Sequence, residues 1–336
     1  MNLLNSSTIV LVTGARGFIG SAVVAALAHS GARVRAGVRQ CAPSPADASE
    51  MRGGARLCAC DLDDAAQLRA AVKGADVVVH AAYGSDAAMA AQCRTLVEAM
   101  AAERVKNLIY LSSIAVYGDC SGLVTEAAPP QGRLGAYAAA KRDCEDLVAG
   151  WARDERRAII LRPGIVYGTG SYFWVDKMAQ RIRLGVWGDF GLAGQGFAAL
   201  VHIDDLVELI EIASQHLASG ARAGLPNCAA LNAVGPEAPS WNGYFQNLAA
   251  AIGAPRLSYW NKSEITLRQL VAAPAKLWRR LGLPGAQGAA LAATPGECAL
   301  FSRKATYAMD KAADLLGFSP RIGLAEGLAR TVAPKV

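Results

Sequence analysis

Tyr137 and Lys141 stand four residues apart in the segment Tyr137-Ala-Ala-Ala-Lys141. On a helix, positions i and i+4 share a face, so the lysine ammonium is expected beside the phenol. An ammonium there favours the phenolate and brings the tyrosine toward working pH, ready to exchange a proton with a hydroxyl. Such a pair alone is common on surface helices. Its context is Ser113, 24 residues earlier in Tyr110-Leu-Ser-Ser-Ile-Ala-Val-Tyr-Gly118. That segment reads as the carboxyl end of a strand, where open parallel sheets bind ligands, and the serine could hydrogen-bond the same substrate oxygen.

A second constellation opens the chain. A β-rich run leads into Thr13-Gly-Ala-Arg-Gly-Phe-Ile-Gly20 and then into a helical stretch. Gly14 suits a tight turn, Gly17 the approach of a pyrophosphate to backbone N–H groups at a helix start, and Gly20 close packing of helix on sheet. At the end of the next strand, Val34-Arg-Ala-Gly-Val-Arg39, no carboxylate is present to accept from a ribose 2′-hydroxyl. Arg39, with Arg16 in the glycine loop, could instead clamp a 2′-phosphate, which favours NADP over NAD as cofactor; solvated arginines are the alternative. After the third strand, Asp61-Leu62 offers a carboxylate to an adenine amino group, or an acid at a helix N-terminus.

These residues need a scaffold of alternating strands and helices. Candidate strands are Thr8 to Thr13, Arg33 to Val38, Arg56 to Cys60, Asp76 to Ala82, Asn107 to Ser112 and Ala158 to Arg162. Candidate helices are Gly17 to Ser30, Ala65 to Val72, Ala87 to Arg104 and Tyr137 to Asp154. The alternation predicts an α/β fold, a Rossmann-like doubly wound parallel sheet of six strands, over residues 8–168. Beyond Gly168 the periodicity weakens, and Gly- and Pro-rich stretches (Gly185 to Gly196, Ala233 to Ser240, Pro284 to Gly296) separate isolated helices such as Asp204 to Leu217. Residues 169–336 are therefore read as a smaller mixed substrate-binding lobe, the chain returning to the first domain around 198–218.

Composition closes off other classes. Of 336 residues, 53% are hydrophobic and 18% charged, with mean hydropathy +0.22, which excludes a disordered chain. The apolar runs are strand-sized, too short to span a bilayer, and Met1 to Ser7 shows no signal-peptide pattern, so a cytoplasmic protein is expected. Eight cysteines lie scattered with no CxxC pair, which indicates neither a zinc knuckle nor a disulfide framework. His80 and His202 have no partner at ligand spacing, so no metal is expected. Net charge is +6, and Ile252 to Lys304 alone holds eight basic residues against two acidic ones. That excess suggests an anionic ligand or a solvated face. Glu264 to Leu283 reads as a lobe helix packed on the core, kinked or started by Pro274, with contact to a membrane or a hydrophobic substrate as the alternative. No nucleic-acid reader motif is present.

Taken in order, TGxxGxxG, Asp61-Leu62, His80-Ala-Ala82, SSxxVYG from Ser112, YxxxK, Arg162-Pro-Gly-Ile-Val-Tyr-Gly168 and His202-Ile-Asp-Asp-Leu206 resemble the extended short-chain dehydrogenase/reductases, the NAD-dependent epimerase/dehydratase family, over roughly residues 8 to 330. The resemblance implies a Ser113, Tyr137, Lys141 triad. In it the tyrosine is general acid/base, the lysine also holds the nicotinamide ribose, and the serine orients the reacting oxygen. It extends the cofactor site to Phe18, Ile19, Ala81, Ala82, Tyr83, Pro163 and Val166, and places Arg162 to Tyr167 beside the nicotinamide carboxamide and substrate.

Departures from the family pattern shape the functional reading. Ile114-Ala115 replaces the Asp-Glu that sugar-nucleotide 4,6-dehydratases use to eliminate water. Ala198 stands where many nucleotide-sugar epimerases carry a diphosphate-binding arginine, and Met89-Ala-Ala-Gln-Cys93 replaces Asn-x-x-Gly-Thr. The expectation is an NAD(P)-dependent oxidoreductase passing hydride between nicotinamide and a carbonyl or secondary alcohol. One alternative is a nucleotide-sugar epimerase with tightly held NAD and a relocated diphosphate site using Arg268, Arg279 or Arg303. Another is a noncatalytic nicotinamide sensor. The expected partner is a small-molecule substrate, with an anionic one and a homodimer left open; neither nucleic acid nor membrane contact is expected.

Overall fold

The structure is a computed structural model that describes residues 4, 6–40, 54–220, 224–280 and 289–333, with side chains except at 273–280 and 289. Cys41, part of the Pro284–Gly296 stretch and the side chains of Lys276, Arg279 and Arg280 lie outside the described residues.

The first half alternates as expected: β1 (Ile9–Thr13), α1 (Phe18–His29), β2 (Arg33–Val38), β3 (Arg56–Ala59), α2 (Ala65–Val72), β4 (Val77–His80), α3 (Asp86–Ala102), β5 (Asn107–Leu111), β6 (Gly122–Val124), α4 (Ala136–Trp151) and β7 (Arg157–Pro163). The second half holds β8 (Ile165–Tyr167), α5 (Lys177–Arg183), β9 (Leu200–His202), α6 (Ile203–Ala218), β10 (Cys228–Ala233), α7 (Trp241–Ala251), α8 (Lys262–Arg280), α9 (Pro295–Phe301), β11 (Ala305–Tyr307), α10 (Asp310–Leu316) and α11 (Leu324–Val332). The central sheet is parallel, ordered β10-β7-β5-β4-β1-β2-β3. It has seven strands rather than the expected six, because β10 joins its edge. Two short parallel pairs, β6 with β11 and β8 with β9, stand beside it.

The strands are apolar at consecutive positions because both sheet faces are covered. Val10, Val12, Val77 and Val79 feed one core with α1, α6 and α10, while Leu11, Val78, Leu108 and Tyr110 feed the other with α2, α3 and α4. The later residues gather around a third, aromatic cluster of Trp187, Phe190, Trp241, Tyr244, Phe245 and Phe301. Trp241 and Phe301 are fully buried with ring centroids 4.7 Å apart, so truncating either to alanine would cost about 3–5 kcal/mol. In α8, which begins well before Pro274, Ile265 and Ala272 are buried, whereas Leu267, Leu270 and Val271 face outward. Among the described residues no helix is long and apolar enough to cross a membrane.

Candidate active site

The strand order reverses at β1, which lies between β4 and β2, so the crevice at the carboxyl ends of β1 and β4 is the topological switch point. Thr13 and His80 close its floor, Oγ1 and Nδ1 lying 2.8 Å apart. Burial pushes His80 down to about 3, assisted by the charge of Lys141, so the imidazole is neutral. Gly14 turns at φ +68°, and a Cβ there would come 2.6 Å from the Cα of Ala82. Gly20 is also confined, but by the loop: its Cβ would meet the Gly14 carbonyl oxygen at 2.1 Å. The expected helix-on-sheet role for Gly20 is thus corrected to a fit within the turn.

Gly17 is the N-cap of α1, which has neither a capping side chain nor an acid in its first turn. Its first N–H groups are left for an external acceptor, which suits a pyrophosphate. Phe18 and Ile19 are partly buried against the core beneath. Arg16 and Arg39 are exposed, and Arg39 approaches Gly84 so closely that a Cβ there would lie 3.5 Å from its guanidinium. The acid that caps α2 is Asp64, whose carboxylate accepts from the Ala66 and Gln67 N–H groups. Asp61 accepts from the Asp63 N–H at 3.1 Å, beside buried Leu62. Gln92, in the segment that replaces Asn-x-x-Gly-Thr, donates to Asp63 at 3.0 and 3.1 Å and steadies this loop. Met89 in the same segment is buried against the Tyr110 hydroxyl.

Ser113, Tyr137 and Lys141 meet at the carboxyl end of the sheet, beside the interior strand β5. Ser113 ends the extension of β5 and caps the short turn Ile114–Tyr117, its Oγ accepting from the Ala115 N–H. Tyr137 opens onto the crevice at 37% exposure, and Tyr83 stands edge-on to it with centroids 5.8 Å apart. Burial raises the Tyr137 phenol above its ordinary value, a hydrogen bond with Ser113 draws it back, and the Asp86 charge raises it further. Tyr83 donates to Asp86 at 2.8 Å, which places that carboxylate at the mouth. Lys141 is buried, with Nζ 5.9 Å from the Tyr137 ring centre and donating to the Leu111 carbonyl at 2.5 Å. The expected lowering of the phenol by the ammonium is therefore absent: the lysine points at the β5 backbone, and burial holds it near 8.

Arg162 does not face the crevice as expected. It is buried, gripping Glu145 through both carboxylate oxygens (Nε to Oε1 2.9 Å, Nη2 to Oε2 2.6 Å) and donating to the Tyr117 hydroxyl at 2.8 Å. Ser112 donates to the same Glu145 at 2.6 Å, and Tyr117 donates to Asn232 at 2.6 Å. The sequence reading did not single out Glu145 or Asn232. Spacing places Glu145 one turn beyond Lys141 on the same helix, but nothing local in the sequence marks it as buried. Pro163 is buried at the end of β7, and Val166 is half-buried in β8. Ala81 and Ala82, past β4, are half-buried, and Tyr83 is exposed. His202 caps α6, its Nδ1 accepting from the Asp204 N–H. Among the described residues no group of three His, Cys, Asp or Glu could hold a metal.

The backbone at Ala198 is buried and pinned by neighbours: Phe197 N–H donates to the Arg303 carbonyl at 2.8 Å and Ala198 N–H to the Pro239 carbonyl at 2.8 Å. Arg303 thus stands next to the position where a diphosphate arginine was missing. Its guanidinium bonds Asp119, just past the Ile114–Tyr117 turn, at 2.7 Å. Arg268 is committed elsewhere, stacked 3.8 Å above the Trp260 ring and bonded to Glu264 at 3.1 Å.

With this geometry the chain was compared with known proteins. Its fold matches MoeE5, solved in complex with UDP-glucuronic acid and NAD, at TM-score 0.69 and 26% identity, covering 96% of this chain and 97% of that one. Over 130 residues it is 28% identical to the N-acetyl-alpha-D-glucosaminyl-diphospho-ditrans,octacis-undecaprenol 4-epimerase of Escherichia coli O157:H7, covering 38% of this chain and 39% of that protein. Over 240 residues it is 28% identical to the 3beta-hydroxysteroid-dehydrogenase/decarboxylase isoform 1 of Arabidopsis thaliana, covering 68% of this chain and 53% of that protein. The chain thus spans about half the length, or less, of these two curated relatives. The family model for NAD dependent epimerases and dehydratases matches residues 10–229, the stretch that carries the glycine loop, Ser113, Tyr137, Lys141 and the end of β7. With the seven-stranded parallel sheet and its switch-point crevice, that match makes this chain a member of the NAD dependent epimerase/dehydratase family.

Proposed function

We propose that the chain is a nucleotide-sugar epimerase that retains its nicotinamide cofactor, the reading set above as the alternative to a carbonyl reductase. The observation that carries it is the convergence of Ser113, Tyr137 and buried Lys141 beside the switch point, with the backbone of Arg303 paired to the residue preceding Ala198. The match to MoeE5 over nearly the full length of both chains supports the same reading.

The cofactor cradle fits a dinucleotide, since the uncapped N-terminus of α1 can receive the pyrophosphate and Gly14 leaves no room for a side chain against Ala82. When bound, the nicotinamide supplies a two-electron acceptor that takes a hydride from a carbinol carbon and gives it back. The residues proposed to line its site are Gly14, Arg16, Gly17, Phe18, Ile19, Gly20, Arg39, Asp61, Leu62, Ala81, Ala82, Tyr83, Pro163 and Val166, with Tyr137 and Lys141. Tyr137 Oη receives the proton of the substrate hydroxyl and returns it. Ser113 holds the reacting oxygen. Lys141, one turn beyond Tyr137 on α4, meets the ribose of the bound cofactor. The absence of a carboxylate in β2 and the exposure of Arg39 support acceptance of a 2′-phosphate, so NADP competes with NAD for the site. The later lobe, residues 169–336 apart from the return at 198–218 and β10, is proposed to carry the sugar nucleotide, with Arg303 on its diphosphate.

The test is direct. The purified protein is denatured, the released nucleotide identified, and the intact protein incubated with UDP-glucose, UDP-glucuronic acid and UDP-N-acetylglucosamine while the products are followed by proton NMR. Release of a nicotinamide nucleotide and inversion at one sugar carbon without net redox are expected. Protein free of nucleotide that consumes NADPH on neutral ketones, with no sugar inverted, would overturn the reading in favour of the reductase.

A further inference from the structure

Behind the crevice three elements are locked by one carboxylate. Glu145 projects from α4, two turns beyond Tyr137 and one beyond Lys141, and is 4% exposed. Its Oε1 accepts from Ser112 Oγ at 2.6 Å and Arg162 Nε at 2.9 Å, and its Oε2 from Arg162 Nη2 at 2.6 Å. Ser112 immediately precedes Ser113. On the other side of Ser113, Tyr117 is held by Arg162, which also donates to the Glu126 carbonyl at 3.0 Å. Ser113 is therefore tied to Glu145 before and after itself, while Tyr137 rides on the helix that carries Glu145.

We propose that Glu145 is a positioning residue that sets the reach between the Ser113 and Tyr137 hydroxyls, with Ser112 and Arg162 as the arms that transmit its position. The proposal rests on the assignment of Ser113 and Tyr137 above. A buried ion pair contributes little net stability, because the attraction mostly offsets the desolvation of both charges. Its bonds are nonetheless directional, and a bidentate fork fixes two planes against each other. Ser113 and Tyr137 belong to separate elements, β5 and α4, whose apolar contacts alone would permit small sliding. Misplacement of a reacting group by about 1 Å is enough to cost about a hundredfold in rate. The groups facing the Tyr137 phenol are Ser113 from the β5 end, Tyr83 and Asp86 from the α3 side and Lys141 on its own helix. Of these, Ser113 is the one the clamp controls most directly.

The experiment uses the NAD-loaded protein. Ser112→Ala removes one arm and leaves the Arg162–Glu145 pair intact, so no buried charge is orphaned; Ser112→Thr keeps the hydroxyl; Glu145→Gln keeps the shape and alters both arms. The ionisation of Tyr137 is followed by ultraviolet difference titration, isolated by subtracting Tyr137→Phe. For Ser112→Ala and Glu145→Gln the titration is expected to move to higher pH, as the Ser113 hydrogen bond that draws the phenol down loosens. Their kcat should fall about tenfold with KM nearly unchanged, and Ser112→Thr should return both toward the parent. If both variants titrate with the parent and keep its kcat, or lose thermal stability alone, the clamp is structural and the proposal fails. If Tyr137→Phe itself turns over normally, the catalytic assignment fails, yet the titration still reports whether the clamp sets the Tyr137 environment.

Discussion

The Lys141 ammonium donates to the Leu111 carbonyl at 2.5 Å while sitting 5.9 Å from the centre of the Tyr137 ring. A single side chain thus holds the end of β5 to α4 and stands near the phenol without bonding it. Burial is the main reason its proton is held weakly, near 8 rather than the ordinary 10.5.

That depression has a consequence for stability. Below about 8 the lysine is charged in both folded and unfolded chains; between about 8 and 10.5 the folded chain has released the proton that the unfolded chain still holds. The unfolded state binds more protons in that window, so this group makes stability rise with pH there. The gain is on the order of 3 kcal/mol across the window. Denaturant melts of the cofactor-free protein and of Lys141→Met, taken from pH 7 to 10.5, should show the parent gaining on the variant as pH rises. Parallel curves would mean that the lysine titrates normally.

Tyr137→Phe is expected to lower turnover by at least about a hundredfold, because only the proton-transfer group is lost. The affinity for NAD should barely change, since the ring still packs against Tyr83. Single-turnover rates with the substrate found by NMR, together with a nucleotide titration, separate the two quantities. Turnover near that of the parent would assign the acid–base role to another group.

The sequence made the sheet legible where side chains reported both faces, as in Val77–His80, whose alternate valines enter different cores. It hid β10, because Cys228-Ala-Ala-Leu-Asn-Ala233 lacks the β-branched and aromatic residues that mark a strand. Its place is set by pairing with β7 and by Asn232, whose side chain donates to Val124 and Ala308 and accepts from Tyr117. The shared face of Tyr137 and Lys141 was readable from spacing, but the direction of the ammonium depends on a carbonyl from another element. Glu145 sits in a charged run, Arg142 to Asp146, that reads as a solvated helix face. Its burial follows from Arg162, which reaches it from β7. Long-range pairings of this kind leave no local period in the sequence.

Arg39 offers a test of cofactor choice. Its guanidinium is exposed near Gly84, and no acid stands at the end of β2 to repel a 2′-phosphate. Cofactor-free protein is expected to bind NADP at least as tightly as NAD, with the NADP affinity falling more steeply as salt is added. Arg39→Asp should lower the NADP to NAD affinity ratio at least about tenfold, since a charge-assisted contact becomes a repulsion. Fluorescence quenching with both nucleotides measures it, and an unchanged ratio would remove Arg39 from the adenosine site.

The remaining prediction concerns Arg303 and Asp119. Their side chains bond at 2.7 Å, with 26% and 69% exposure, so the pair is partly solvated and worth about 1 kcal/mol or less. A diphosphate brings more negative charge than one carboxylate and would take the arginine from Asp119. Arg303→Ala should therefore weaken UDP binding about tenfold at low salt, and Asp119→Asn should strengthen it, because the arginine then has no competitor to leave. Both effects should shrink in high salt as the charges are screened. Arg268→Ala is the control: its guanidinium is held on Trp260 and by Glu264, and its loss should leave UDP affinity within about twofold of the parent. Calorimetry at two salt concentrations decides the matter. UDP binding indifferent to Arg303 would show that the diphosphate cation lies elsewhere, and no UDP binding by the parent would return the lobe to a neutral carbonyl substrate.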